Sequence, residues 1–297
     1  MSTETDPFGT AALRASVLAA WTSSPTRFRE DANAEEDLYL GGYRDRLLVE
    51  LAQNAADAAD GAGTLRLSFV DNELRAANTG RPLTADGVTA LASLRASAKR
   101  SDHGVGQFGV GFAAVLAVTD APRIVSTTGG VAFSADGTRE AVSDEPQLVE
   151  RVAERAGRVP VLRLVWPAHA EAPLPDGFVT EVRLPLREDV DGAALLASFS
   201  TQVVDLLLAL PKLTRIEVGD SVWSRVDGDE SRVEIHGPDG VAHWLVLRAA
   251  GLLPDAVVET LGVEARERPA WTVCWAVPVD ETGVPQALGE GVLHAPT

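Results

Sequence analysis

The chain is poor in cysteine, lysine, aromatic side chains and long apolar runs, and each shortage excludes something. One cysteine, Cys274, in 297 residues rules out an internal disulfide. The apolar run around it, residues 271–277, predicts a buried strand thiol. Lys99 and Lys212 are the two lysines, and 26 basic against 43 acidic side chains leave a formal net charge of −17. Such a surface repels phosphate backbones, which argues against a nucleic-acid partner. No apolar stretch reaches the ~20 residues that span a bilayer, and the acidic start of the chain, residues 1–6, lacks the basic region of a signal peptide. A cytoplasmic protein with no membrane partner is expected. Aromatic residues make up 5% of the chain, and five of the six tryptophans lie beyond residue 165. With 45% hydrophobic and 23% charged residues the composition is globular, and it excludes disorder, collagen and a coiled-coil rod.

Apolar residues at helical spacing predict a lead helix over 10–21, stopped by Ser23-Ser24-Pro25. An acidic loop over 30–37 and a long helix over 43–59 follow. Two strands, 64–70 and 73–78, flank a tight turn at Asp71-Asn72, and Thr84 is placed to cap a short helix reaching Leu94. A glycine run then enters an apolar helix ending near Val118, and strands are expected at 123–128, 130–134, 161–166 and 180–186. A helix over 193–210 precedes strands at 215–218, 222–225, 233–236, 243–247 and 272–277. Too few helices separate the later strands for repeated βαβ units, so the expected class is α+β with mostly antiparallel pairing. The change in character near residue 210 suggests a first domain over 1–210 and a β-rich extension over 211–297, the start of a further domain. The absence of a terminating helix suggests a fragment of a longer chain.

Two constellations carry chemistry. On the long helix, Glu50, Asn54 and Asp57 share one face at i, i+4 and i+7, opposite Leu48, Leu51, Ala52, Ala55 and Ala59. Three polar residues on a helix face are ordinarily just solvated. The residue types nevertheless offer a carboxylate to polarise water, an amide oxygen for a hard cation and a second carboxylate. The second constellation is Gly104-Val105-Gly106-Gln107-Phe108-Gly109-Val110-Gly111-Phe112. Glycine inside a helix costs up to about 1 kcal/mol relative to alanine, so four of them need a reason. Backbone N–H groups presented to a phosphate at a helix N-terminus would supply it, and so would a tight loop or close helix packing. A P-loop is excluded, because Phe112-Ala113 stands where Lys-Ser/Thr would be.

The stretch Glu50-Leu51-Ala52-Gln53-Asn54-Ala55-Ala56-Asp57-Ala58 resembles the N-box of the GHKL ATPases, the family named for gyrase, the ninety-kilodalton heat-shock chaperone, histidine kinases and MutL. Residues 106–112 resemble its phosphate-lid motif, and 118–126 are similar to the chaperone and sacsin branch. Asn78-Thr79-Gly80-Arg81-Pro82 occupies the place of the Asp-x-Gly-x-Gly box, with Asn78 for the aspartate and Pro82 for the second glycine. Thr180 resembles the late threonine near the adenine.

The resemblance covers 43–187 and implies a Bergerat sandwich, helices over one face of a mixed sheet. It implies Glu50 as general base, Asn54 as Mg²⁺ ligand and Asp57 as a nearby support or a water-mediated contact to the base. Asn78, Gly80 and Thr180 would lie at the base. Gly104, Gly106, Gln107, Phe108, Gly109, Val110, Gly111 and Phe112 would lie around the phosphates, and Ser97 and Lys99 in a lid over 94–106. The cofactors implied are ATP and Mg²⁺, and the activity a slow conformational ATPase, chaperone-like or sacsin-like. Its partners would be a protein client or downstream domains, and a nucleotide-dependent dimer is compatible with the family. A nucleotide-gated binding module that hydrolyses little, and a GHKL kinase, stand as alternatives.

Overall fold

The computed structural model of the chain describes residues 6–40, 46–93, 111–261, 266 and 269–287. Two helices, α1 (Thr10–Ser23) and α2 (Pro25–Leu40), lead to α3 (Leu47–Ala58). The hairpin β1 (Gly63–Val70) and β2 (Glu73–Asn78) follows, then α4 (Ala85–Ala92) and a 3-10 helix, Gly111–Ala117. Next come β3 (Arg123–Ser126), β4 (Gly129–Ala132), α5 (Ala135–Val142), α6 (Pro146–Glu154), β5 (Trp166–Pro167) and β6 (Thr180–Pro185). Helices α7 (Gly192–Phe199) and α8 (Val203–Ala209) precede β7 (Leu213–Val218), β8 (Ser221–Asp227), β9 (Arg232–Gly237) and β10 (Gly240–Leu252). A single turn, α9 (Asp255–Val258), comes before β11 (Ala270–Val279).

Among the described residues all the strands belong to one sheet, in the order β11-β10-β9-β8-β7-β1-β2-β6-β3-β4-β5. Every neighbouring pair is antiparallel except β1 with β7, so the class is α+β with a mostly antiparallel sheet. The β1–β7 pairing carries the sheet across residue 210 without a break.

Alternation along the strands decides which face takes the helices. Leu65, Leu67 and Phe69 of β1 sit opposite Asn78, Ala76 and Leu74 of β2, which sit opposite Thr180, Val182 and Leu184 of β6. This apolar face packs under α3, whose Leu48, Leu51, Ala52 and Ala55 are buried, and under α7 and α8. Among the described residues the helical run Gly192–Ala209 alone has the length and hydropathy of a membrane span, but Phe199, Val203 and Leu207 in it belong to the main core. The opposite sheet face carries charge. Arg183 donates to Glu181 (2.6 Å) and Glu171 (2.9 Å), Arg66 to Glu217 (2.5 Å), and Glu73 accepts from Arg75 (2.8 Å) and Arg123.

Several local expectations are corrected. Residues 30–37 form part of α2, not a loop. The buried stripe of α2 is Phe28, Ala32 and Glu35, and a glutamate at its third position hid the apolar period. Its carboxylate accepts from Val161 N (2.5 Å) and Leu162 N (3.0 Å), which binds residues 161–165 into the core as irregular backbone where a strand was expected. The apolar run before Val118 is a 3-10 helix, and a 3-10 turn at Ser200–Gln202 splits the expected 193–210 helix. Helices α5 and α6 were not anticipated. Cys274 lies on a strand as expected but is exposed, because β11 is the outermost strand and the face bearing Trp271, Val273 and Trp275 is also largely uncovered. The Asp71-Asn72 turn, with φ of 51° and 60°, and the Thr84 cap, which accepts from Gly87 N at 3.1 Å, form as expected.

Burial pushes the Glu35 carboxyl up to about 7, against the opposing pull of its two N–H donors and Arg163. The unfolded chain therefore loses this proton first, and the Glu35 contribution to stability should fall as pH rises from about 4.5 to about 7, by roughly 3 kcal/mol. Urea unfolding of parent and Glu35→Gln at pH 5 and pH 8 checks this. The stability difference between the two should change with pH in that direction, and a constant difference would mean that Glu35 ionises as in water.

Candidate functional site

At one end of the helix-facing side of the sheet, three polar residues replace the apolar alternation. Asn78 on β2 sits opposite Thr180 on β6, which sits opposite Ser126 on β3. Thr180 Oγ1 and Ser126 Oγ are 2.9 Å apart, and Ser126 Oγ also accepts from Leu83 N at 3.0 Å. Asn78 is 9% exposed, and its Nδ2 donates to Thr79 O at 2.9 Å. Among the described residues its Oδ1 accepts no hydrogen bond, so a buried acceptor stands ready beside the half-buried Thr180.

The loop after Asn78 is tied to the C-terminal end of α3. Arg81 N donates to Ala58 O (2.8 Å) and Arg81 Nη2 to Asp57 O (2.6 Å). Gly80, at φ 110°, faces Ala58 with the side on which a β-carbon would stand. Its lack of a side chain therefore serves close approach of this loop to α3.

Along α3, Glu50 and Asn54 are half-buried and Asp57 is exposed. Glu50 meets the second constellation at its end: a β-carbon built on Gly111 would overlap Glu50 Oε2. Residues 61 positions apart in sequence are thus brought into contact, and the absence of a side chain at 111 makes room for the carboxylate. Partial burial raises the Glu50 carboxyl above its ordinary range, with Arg46 opposing. Asp57 is raised too, by desolvation that outweighs Lys212 and Arg81. Phe112, next to Gly111, is buried and packs at a tilt on Phe133, with ring centroids 6.2 Å apart. It serves as a core anchor for the start of the 3-10 helix.

Ser97, Lys99, Gly104, Gly106, Gln107, Phe108, Gly109 and Val110 lie outside the described residues, as does the proposed lid over 94–106. Among the described residues no group of three or more His, Cys, Asp or Glu side chains could hold a metal ion by itself. The Asn54 side chain forms no hydrogen bond with another described residue, and an amide oxygen is a hard ligand of the kind Mg²⁺ takes. A Mg²⁺ held by one protein oxygen, substrate phosphates and water needs no acidic cluster. Sequence reasoning missed Ser126 and Arg81. Ser126 was legible as a polar break two positions after Ile124 on the same strand face.

A scan against models of known protein families gives no match, and a search of curated proteins gives none.

Proposed function

We propose that this chain is an ATP-binding module of the GHKL, Bergerat-fold kind, a chaperone-like or sacsin-like conformational ATPase acting in the cytoplasm. The observation that carries the reading is the contact of Glu50 with Gly111. It joins the helix with the N-box resemblance to the end of the glycine run with the phosphate-lid resemblance. The row of buried Asn78, half-buried Thr180 and buried Ser126 supports it, offering an amide oxygen and hydroxyls where the resemblance implies the base.

In this reading Asn54 would hold Mg²⁺, which neutralises phosphate charge when bound. Glu50 would take the proton of the attacking water. Its raised carboxyl suits a base, because proton affinity closer to neutral makes transfer easier. Nucleotide binding would order the phosphate-facing segment and pass motion to a protein client or downstream domains.

Calorimetry with Mg²⁺·ATP and Mg²⁺·GTP tests the proposal. The parent should bind ATP more tightly than GTP. Asn78→Ala should weaken ATP about five- to tenfold, the loss of one buried hydrogen bond, and bring the two affinities together. Alanine is a cleaner probe than aspartate, because Asn78→Asp places a carboxylate oxygen against Thr79 O, where Nδ2 now donates. No heat with ATP in the parent would sink the proposal. An ATP-to-GTP ratio unchanged in Asn78→Ala would remove Asn78 from base reading.

A further inference from the structure

A cavity of about 230 Å³ lies away from the row of Asn78, Thr180 and Ser126, between α2, α5 and the end of the 3-10 helix. Four arginines line it: Arg139, Arg155, Arg158 and Arg187. Three carboxylates, Glu35, Glu36 and Asp120, share the lining, and Asp136 and Asp189 pair with Arg139 and Arg187 from just outside it, so the positive charge not locally matched is that of Arg155 and Arg158, which have Glu36 between them. The floor is apolar, made by Leu116, Val159 and Val161.

Arg187 and Arg139 are held in place by backbone carbonyls. Arg187 donates to Leu116 O (2.9 Å) and Ala117 O (2.7 Å) as well as to Asp120 (3.2 Å), and Arg139 to Gly157 O (2.9 Å) and Asp136. Arg155 and Arg158 meet on one carboxylate: Arg155 Nη2 donates to Glu36 Oε2 (2.5 Å) and Arg158 to Glu36 Oε1. Arg155 Nη1 also reaches Asn33 Oδ1 (2.5 Å), and its Nε is buried with no hydrogen-bond partner among the described residues. Glu36 thus occupies the place between two guanidinium forks that an anion would take, and a buried N–H donor beside it is still unsatisfied. Arg158 is exposed and Glu36 partly so, which leaves that end open to solvent.

We propose that this cavity binds a small phosphate monoester, its phosphate taken between Arg155 and Arg158 in place of the Glu36 carboxylate and its short body set on the apolar floor. A phosphate has three terminal oxygens, enough for both forks and the idle Nε, whereas Glu36 offers two. The volume limits the ligand to one far smaller than a nucleotide. Because the 3-10 helix runs from Gly111, against Glu50, to Leu116 and Ala117, against Arg187, the two sites share one short element.

The test is a titration of the whole chain with glycerol 3-phosphate, inorganic phosphate and glycerol, followed by the amide resonances of Val161 and Leu162 and by calorimetry. Glycerol 3-phosphate should move those resonances saturably, inorganic phosphate more weakly, and glycerol not at all. If inorganic phosphate matches the ester, the ion alone is the ligand and the floor contributes nothing, which overturns the monoester assignment. Arg155→Gln/Arg158→Gln should lose at least about tenfold in affinity. Glu36→Gln, which removes the competing carboxylate and keeps both guanidiniums, should gain several-fold. That gain separates a binding site from an ion-pair network that only braces the fold, since the brace would merely weaken. Absence of saturable shifts in both parent and Glu36→Gln overturns the proposal, and so does equal affinity in the double arginine variant. Mg²⁺·ATP calorimetry on the same variants should be unchanged, so failure here and failure of the nucleotide reading are distinguishable.

Discussion

Glu50→Ala should bind Mg²⁺·ATP nearly as the parent does while turnover falls by roughly 100- to 10,000-fold, the usual contribution of a positioned general base. Glu50 sits in the first turn of α3, half-buried, with its carboxylate against the bare Cα of Gly111. Its position is set by that contact as much as by the helix. Gly111→Ala should therefore reproduce much of the loss while leaving Glu50 itself in place in the sequence, because the added methyl overlaps Oε2 and drives it aside. The acidic limb of turnover should lie above the ordinary carboxylate range, because the base works ionised and desolvation holds its proton more tightly. Single-turnover hydrolysis alongside calorimetry separates the outcomes. Turnover unchanged in Glu50→Ala would take Glu50 out of the chemistry. A parent that binds ATP and never hydrolyses it would be a nucleotide-gated module.

The parts of the fold legible in sequence were those whose buried face is purely apolar. The hairpin of β1 and β2 could be read from alternation and from Asp71-Asn72, and the strands from 213 onward from their branched and aromatic runs. The acidic stretch of α2 could not, because Glu35 occupies a core position and takes its partners from backbone 126 and 127 residues away. Residues 161–165 failed for the same reason from the other side: an apolar run there predicts a strand, but a glutamate supplies the acceptors that a neighbouring strand would have offered.

The candidate site divides in the same manner. Glu50, Asn54 and Asp57 could be grouped from helical spacing alone, since a helix fixes which residues share a face. Asn78 and Thr180 are 102 positions apart, and their pairing depends on β2 and β6 being neighbours, which no local pattern states. Ser126 joins them through β3, a short strand expected from its run at 123–128, but its place beside β6 is not stated by any local pattern. Spacing gives the members of one element; the sheet order decides which elements meet.

Gly80→Ala should cost the fold roughly 3–5 kcal/mol, among the larger effects a single methyl can have. Two separate penalties act there. At φ 110° an L side chain is outside its allowed regions, which costs about 1–3 kcal/mol. The added β-carbon would also overlap Ala58 O and stand 2.7 Å from the Ala58 carbonyl carbon and 2.9 Å from Ala59 Cα. All three are backbone at the end of α3, so no rotamer change can relieve them. The loop would have to lift away and strain Arg81 N to Ala58 O, the 2.8 Å bond that ties the Asn78 segment to α3. Gly61→Ala is the control, since Gly61 has φ 91° and open space where its β-carbon would be. It bears the conformational penalty alone. Urea unfolding of both variants against the parent gives the difference, and Gly80→Ala should exceed Gly61→Ala by about 2 kcal/mol or more. Equal losses would mean that the loop does not press on α3. The glycine of this box would then be required by its backbone conformation, and close approach to a bound base would again be open to it.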